Sequence, residues 1–418
     1  MKIGRIVFLC SFACLTQAFA LDDFLDRVGE SLTINGFDDR VRIQFRGTLD
    51  LEVYHLDGPG PSLIFTNDDV LFNPRLSLFL DGQIGPAVYV FGQARVDRGF
   101  DPSEGDAEVR LDEYAVRITP WQDGRINFQI GKFATVVGNW VARHHSWENP
   151  FITAPIPYDN LTAIWDSMAA PNAATLLSWA HVRTYSGSFS GDEYLDKAMR
   201  QPIIWGPAYN SGISVFGRLG KFDYAAEMKN ASLSSRPEYW DITQSGWHYP
   251  TFSGRIGFRP NEMWTFGFSA SDGPYLEHDA AHTVAPGHSI DDYREIVIGQ
   301  DIGFAWHHLQ VWAEFFEARF KIPNVDNVDT FAYYVEAKYK FTPQFFAALR
   351  WNQQTFSDIR DNRRNVVPWG RDVWRIDSSV GYRFTAHTQL KLQYTLQHED
   401  LGPREYGHTI AAQFTVRF

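Results

Sequence analysis

The densest group of side chains able to do chemistry lies between residues 137 and 158, where Trp140, Arg143, His144, His145, Trp147 and Glu148 precede Pro150 and Phe151. Two histidines with an acid raise metal binding first. Neighbouring residues project apart, however, and no third ligand follows at a metal-site spacing, so no metal is expected. A charge that titrates near neutral pH is the better reading of the pair. Nucleophilic catalysis finds no support either. With 13 histidines and many serines chance pairs are inevitable, and no nucleophile, base and orienting carboxylate share a motif. The only cysteines, Cys10 and Cys14, fall in the first 20 residues, so the rest of the chain has no thiolate for a disulfide, a metal or a haem linkage. No cofactor is implied.

Those first 20 residues combine Lys2 and Arg5, an apolar run from Ile6 to Cys14 and a small-x-small ending at Ala18, Phe19 and Ala20, the pattern of a secretory signal peptide. A lipoprotein reading of Cys14 competes, but the apolar run before it is short. Removing Lys2 and Arg5 from 38 basic residues leaves 36 against 50 acidic ones, a formal charge of -14. Such acidity disfavours nucleic acid as a partner. Beyond residue 20 no apolar stretch is long enough for a membrane helix.

What must position the charged residues is a long series of strands. A short helix is expected from Leu21 to Leu32, within a periplasmic N-terminal segment from 21 to 38. From residue 39 to 418 the pattern has period two. In the last strand Ile410, Ala412, Phe414, Val416 and Phe418 alternate with Thr409, Ala411, Gln413, Thr415 and Arg417. Eighteen strands can be placed, two of them at 159 to 168 and 174 to 184. Short connections then alternate with long ones throughout, including the stretch from 137 to 158. A Greek-key sandwich has no reason to sort its loops by parity, whereas an up-and-down barrel with a short-turn rim and a long-loop rim does. The chain is therefore expected to be all-β, a transmembrane antiparallel barrel of 18 strands, with 16 as the alternative. The strand near Leu161 to Asp166 is the one that parity alone demands. Trp121, Trp264, Trp306, Phe341, Phe345, Phe384 and Phe418 fall beside short turns or at the chain end, as an interfacial girdle would. Aromatics are also strand formers, which is the competing explanation for each of them.

If the apolar set faces lipid, alternate positions face a lumen. Strand one then points Arg42, Gln44, Arg46, Asp50 and Glu52 inward, and strand three Arg95 and Asp97. Later strands add Glu336, Lys338, Lys340, Arg350, Arg375, Asp377, Arg383, Lys391 and Arg417, a basic wall beside an acidic one formed by Glu295, Asp301 and Glu314. Opposed walls would set up a transverse field across a constriction; mutual neutralisation in a structural network is the competing reading. The apolar loop from 137 to 158 would fold inward and bring Arg143, His144, His145 and Glu148 to the narrowest point. Arg110, Asp112 and Lys132 break the alternation, and a bulge or a place at the rim would explain each.

With its signal peptide, its alternating strands, its lack of a later cysteine and its ending Phe414, Thr415, Val416, Arg417, Phe418, the chain resembles the bacterial outer-membrane porins. The run Ile130, Gly131, Lys132, Phe133 before the long loop looks like the strand that precedes the constriction loop of general and phosphate-selective porins. The strand count leans instead towards sugar-, substrate- or alginate-type channels. The resemblance implies an outer-membrane location in a Gram-negative bacterium and a water-filled channel for small hydrophilic solutes or ions. It also implies that Phe414, Val416 and Phe418 are the signal read by the barrel-assembly machinery, that the outer surface meets lipid and lipopolysaccharide, and that a homotrimer is a possible assembly. An exporter or substrate-specific channel, a barrel enzyme and a secreted carbohydrate-binding β-protein are the alternatives; the second lacks a motif, so no enzymatic activity is expected.

Overall fold

The computed structural model describes residues 21–36, 40–57, 62–64, 66, 68–97, 108–180, 199–243, 245–361, 363–400 and 406–418. The signal-like segment and the loop acids Asp101, Glu104, Asp106, Asp192 and Glu193 lie outside them. A helix, α1, spans 21–31. The strands in chain order are β1 (Thr33–Gly36), β2 (Val41–Asp57), β3 (Val70–Ile84), β4 (Val88–Asp97), β5 (Glu108–Ile118), β6 (Asn127–Lys132), β7 (Ser211–Leu219), β8 (Phe222–Lys229), β9 (Thr251–Phe258) and β10 (Trp264–Pro274). They continue as β11 (Arg294–Trp306), β12 (Leu309–Phe320), β13 (Val328–Lys340), β14 (Phe345–Phe356), β15 (Asp358–Arg360), β16 (Val366–Pro368), β17 (Val373–Arg383), β18 (Thr388–Glu399) and β19 (Tyr406–Arg417).

Each barrel strand pairs antiparallel with its neighbour in sequence, and β19 closes on β2 from His408 opposite Asp57 to Arg417 opposite Thr48. The closed barrel has 16 strands: β2 to β14 and β17 to β19. Its closure leaves no open edge for aggregation. β1 adds to the start of β2, and β15 with β16 is a separate hairpin inside the loop between β14 and β17.

The count of 18 is thus corrected to 16. Residues 159 to 168 form no strand, Trp165 alone bridging to Arg200, and the segment expected as a strand at 174 to 184 holds a helix, α2, over Ala173–Ala180. Both segments belong to one connection from 133 to 210, which replaces the shorter loop of 137 to 158. The cause is burial without alternation. Ala163, Ile164, Leu176, Leu177 and Trp179 are buried, and the exposed positions in the helix, Ala174 and Ser178, stand four apart rather than alternating, so no period-two pattern is imposed, and apolar runs of that kind do not distinguish helix from strand.

The outer faces of the strands carry an exposed apolar band, represented by Phe45, Leu51, Phe268, Leu349 and Ile410. Trp121, Trp306, Phe341 and Phe384 stand exposed at the short-turn rim. The last residue is locked in place: the amide and carbonyl of Phe418 exchange hydrogen bonds of 3.0 Å with those of Gly47. A side chain on Gly47 would collide with the Phe418 ring, so the glycine is the recess the terminal aromatic fills.

The three alternation breaks have local causes. Register shifts opposite Gln93 and Ala94, leaving Asp112 as the extra residue of a bulge in β5. Arg110 and Asp112 then point inward, where Asp112 is fully buried between Arg95 at 3.1 Å and Arg110 at 2.6 Å. In β6, Gly131 has φ +138° and a Cβ there would sit 2.1 Å from the Tyr114 carbonyl oxygen. Only glycine permits that backbone, which turns Lys132 inward to Asp241 at 2.8 Å.

Candidate channel constriction

Within the barrel the dominant object is the described part, 133–180 and 199–210, of the connection that leaves β6 and returns into β7. Its two ends are clasped by Lys229, whose Nζ donates to the carbonyls of Phe133 at 2.5 Å and Asn210 at 2.9 Å. Glu227 fixes the first turn by accepting from the Thr135 hydroxyl at 2.7 Å.

From there the segment crosses to the far wall, where acidic and basic side chains divide the work. Acids receive its amides. Glu314 accepts from the backbone N–H of Asn139 and Trp140 and from the Tyr158 hydroxyl at 2.8 Å, while Glu336 pairs with Arg143. Bases receive its carbonyls. Lys391 Nζ donates to Ser146 at 2.8 Å and to Asn149 and Phe151 at 3.0 Å each. Arg350 Nη2 donates to the carbonyl oxygens of Thr153 at 3.0 Å and Ala154 at 3.1 Å, and Arg375 also reaches that of Ala154. Arg383 takes the Trp147 carbonyl at 3.1 Å and lies over its ring with Arg417. Asp377 ties the set together, accepting from Arg350 Nε at 2.9 Å.

Chain folded away from water inside a barrel leaves its peptide groups without solvent partners, and each needs one. The charged wall supplies them. Arg350, Arg375 and Lys391 therefore do face inward but lie buried beneath the loop, which corrects the expectation that they border open water. Further up the same wall the seat becomes apolar. Phe316, Ala318, Phe320, Val328 and Ala332 point inward and bury against Val137, Ile156, Tyr158 and Ile164.

The opposite side is open. A passage of about 1180 Å³ runs between the loop and the inner faces of β2 to β6. Six arginines line it, Arg42, Arg46, Arg75, Arg95, Arg117 and Arg417, against five carboxylates from strands and loop, Asp50, Asp81, Glu113, Glu148 and Asp159. Three of the six are in ion pairs: Arg46 with Asp81, Arg75 with Asp50 at 3.2 Å and Glu52 at 2.6 Å, Arg95 with Asp112. Arg117 instead donates to Gln129 at 3.0 Å and stacks over Tyr89, Phe91 and Phe216.

Of the residues singled out from sequence, Arg42, Arg46, Arg95, His144, His145, Glu148 and Arg417 border this passage. Arg143, Glu314, Glu336, Arg350, Arg375, Asp377, Arg383 and Lys391 hold the loop or its seat, and Lys338 and Lys340 lie inward near the short-turn end of β13. Arg75, Glu113 and Arg117 were missed. Arg75 shares the inward parity of Ser77 and Asp81, and Glu113 and Arg117 alternate with the outward Tyr114, Val116 and Ile118, so the sequence held the signal for all three.

His144 has both ring nitrogens engaged, Nδ1 with the Val141 carbonyl at 2.5 Å and Nε2 with the Tyr209 hydroxyl at 2.6 Å, leaving neither for a metal. Desolvation and the neighbouring His145 hold its pKa well below the ordinary histidine range. Desolvation, with Arg95 and Arg75 close by, pulls His145 down to about 3. The pair is thus uncharged near neutral pH, not the titrating charge expected from sequence. Asp159 moves the other way: burial pushes it up to about 6 although Arg375 and Arg350 oppose the shift.

No family model matches this chain, and no curated protein does. Solved structures match across its length. The outer membrane channel DcaP of Acinetobacter baumannii is 12% identical with a TM-score of 0.55, covering 92% of this chain and 100% of its own. An anion-selective porin from Comamonas acidovorans gives 11% and 0.55 over 90% of this chain and 100% of that one. Salmonella typhi OmpF, in complex with daunomycin, gives 10% and 0.54 over 92% and 100%. Identities so low carry fold and nothing finer, and the fold they share with this chain is the bacterial outer-membrane porin barrel.

Proposed function

We propose that this chain is a porin of a Gram-negative outer membrane, conducting small hydrophilic solutes or ions by passive diffusion. The observation that carries the reading is the passage of about 1180 Å³ inside a closed barrel, bounded by charges on one side and a fixed loop on the other. Its arginines and carboxylates nearly balance, which suits weak selectivity better than a dedicated anion or sugar site. The exposed apolar band, the aromatic short-turn rim and the terminal Phe418 support placement in lipid, with lipopolysaccharide outside and the barrel-assembly machinery as the route in. No catalytic role is proposed. A homotrimer is part of the reading, since one similar structure, OmpT of Vibrio cholerae, is described in a trimer form.

Single-channel recording of the refolded protein in a planar bilayer tests this. Discrete conductance steps are expected, with a small reversal potential in a salt gradient. Silence from folded, inserted protein would overturn the channel reading in favour of an occluded exporter or sheath.

A further inference from the structure

Before the barrel begins, α1 and β1 form a structured segment at the short-turn end. β1 pairs with the start of β2, Thr33 opposite Gln44 and Gly36 opposite Val41, and the Phe45 amide donates to the Leu32 carbonyl at 3.1 Å. Leu25 is buried, and the Asp26 carboxylate meets His387 Nε2 at 2.9 Å in the turn between β17 and β18. Three independent attachments thus hold the helix at one place on the rim.

That place is the mouth of the passage. Leu25, Asp26, Gly29, Glu30 and Thr33 line the same cavity as Arg42, Arg46 and Arg417. On a helix, residues four apart share a face. Asp26 and Glu30 therefore face the lumen together with Leu25 and Gly29, while Asp23 is exposed and lies off the cavity.

These two groups add carboxylates where the arginine charge is already largely offset: Arg46, Arg75 and Arg95 are paired with Asp81, with Asp50 and Glu52, and with Asp112, while Asp26 and Glu30 bring two further carboxylates to the mouth. We propose that the segment ahead of the barrel is the selectivity element of the channel: Asp26 and Glu30, held at its short-turn mouth, bias it towards cations. Charges at a narrow entrance act before solutes meet the paired arginines deeper inside, and low-dielectric walls focus their field. Their influence fades with salt, because the screening length falls from about 10 Å at 0.1 M to about 3 Å at 1 M.

This inference rests on the channel reading, and its test separates the two. Reversal potentials in a potassium chloride gradient are compared for the full-length mature protein and for the D26N/E30Q, E30Q and D23N variants. The double variant is expected to lower the cation-to-anion permeability ratio about twofold or more at 0.1 M salt, with much less change at 1 M. E30Q, which leaves the His387 contact in place, should move it part of the way, and D23N should not move it. Unchanged potentials in both lumen-facing variants, with channels still opening, would overturn the proposal. Absence of steps in the unaltered protein would instead overturn the channel reading beneath it.

Discussion

Lys391 shows how a barrel interior handles charge at the level of one residue. Its ammonium sits on β18 with no exposed surface and gives each of its three protons to a carbonyl of the loop. Lys391→Met keeps most of the stem but leaves three buried acceptors unmet. Loss of stability on the order of 3 kcal/mol is expected from such desolvated, unpaired groups. Denaturant titration of the detergent-folded protein checks it, and the same variant should give larger, noisier conductance steps as residues 146 to 151 lift away. Asp159 offers a pH readout. Facing Arg375, Arg350 and Asp377, it titrates near 6 when folded against about 3.9 for an ordinary aspartate. The folded state therefore binds the extra proton between about 4 and 6, so this group favours folding at the acid end and its contribution is lost as pH rises through about 6. In the lumen, lowering pH from 7.5 to 5 removes one negative charge and should shift the reversal potential towards anions. Asp159→Asn should reduce that shift; an undiminished shift in the variant would place the titrating group elsewhere.

At the scale of elements, the strands were readable wherever water and an apolar medium met across a sheet. Alternation located 16 of them, and the helix expected over 21 to 32 is seen at 21–31. It failed in the connection from 133 to 210 because the described part of that segment is largely buried and its exposed positions do not alternate, so Leu161 to Asp166 could be fitted as a strand to satisfy loop parity. The sequence did hold a clue. Along β12 the polarity reverses: Val311 and Ala313 face out and Glu314 in, but past that point Phe316, Ala318 and Phe320 face in while Glu317 and Arg319 face out. An inner wall that turns apolar must be covered, and a covering segment of matching length is the loop. Inward charges were legible by parity too, but parity cannot tell a side chain that meets water from one that meets a carbonyl, so Arg350, Arg375 and Lys391 were placed on the wrong boundary. The element itself can be removed. Replacing 134–209 with a short Gly/Ser turn should leave the strand pairings of β6 with β7 intact and raise single-channel conductance severalfold, since the described part of the loop is seated inside the barrel against β12 to β18. An unchanged conductance would mean that the passage along β2 to β6 is not the conducting path.

For the whole molecule, the decisive pairing joins the two ends of the chain, β2 with β19. Ten register pairs and the reciprocal Gly47 and Phe418 hydrogen bonds close the ring, so the last residue carries more than its own packing. Deleting Phe418 empties the recess over Gly47 and should reduce the heat-resistant folded fraction on refolding, measured by electrophoretic mobility with and without boiling. Equal yields would place the closure energy elsewhere along the seam.

The loop's anchors carry that closure one step further. Nearly all of them, from Glu314 to Lys391 and Gln393, lie 150 residues or more along the chain from the loop residues they hold, so its seat does not exist while only the first half of the chain has been laid down. Assembly must therefore proceed from wide to narrow: a half-built sheet comes first, the bore can be defined only once β12 to β18 are in place, and the ring closes with the final strand.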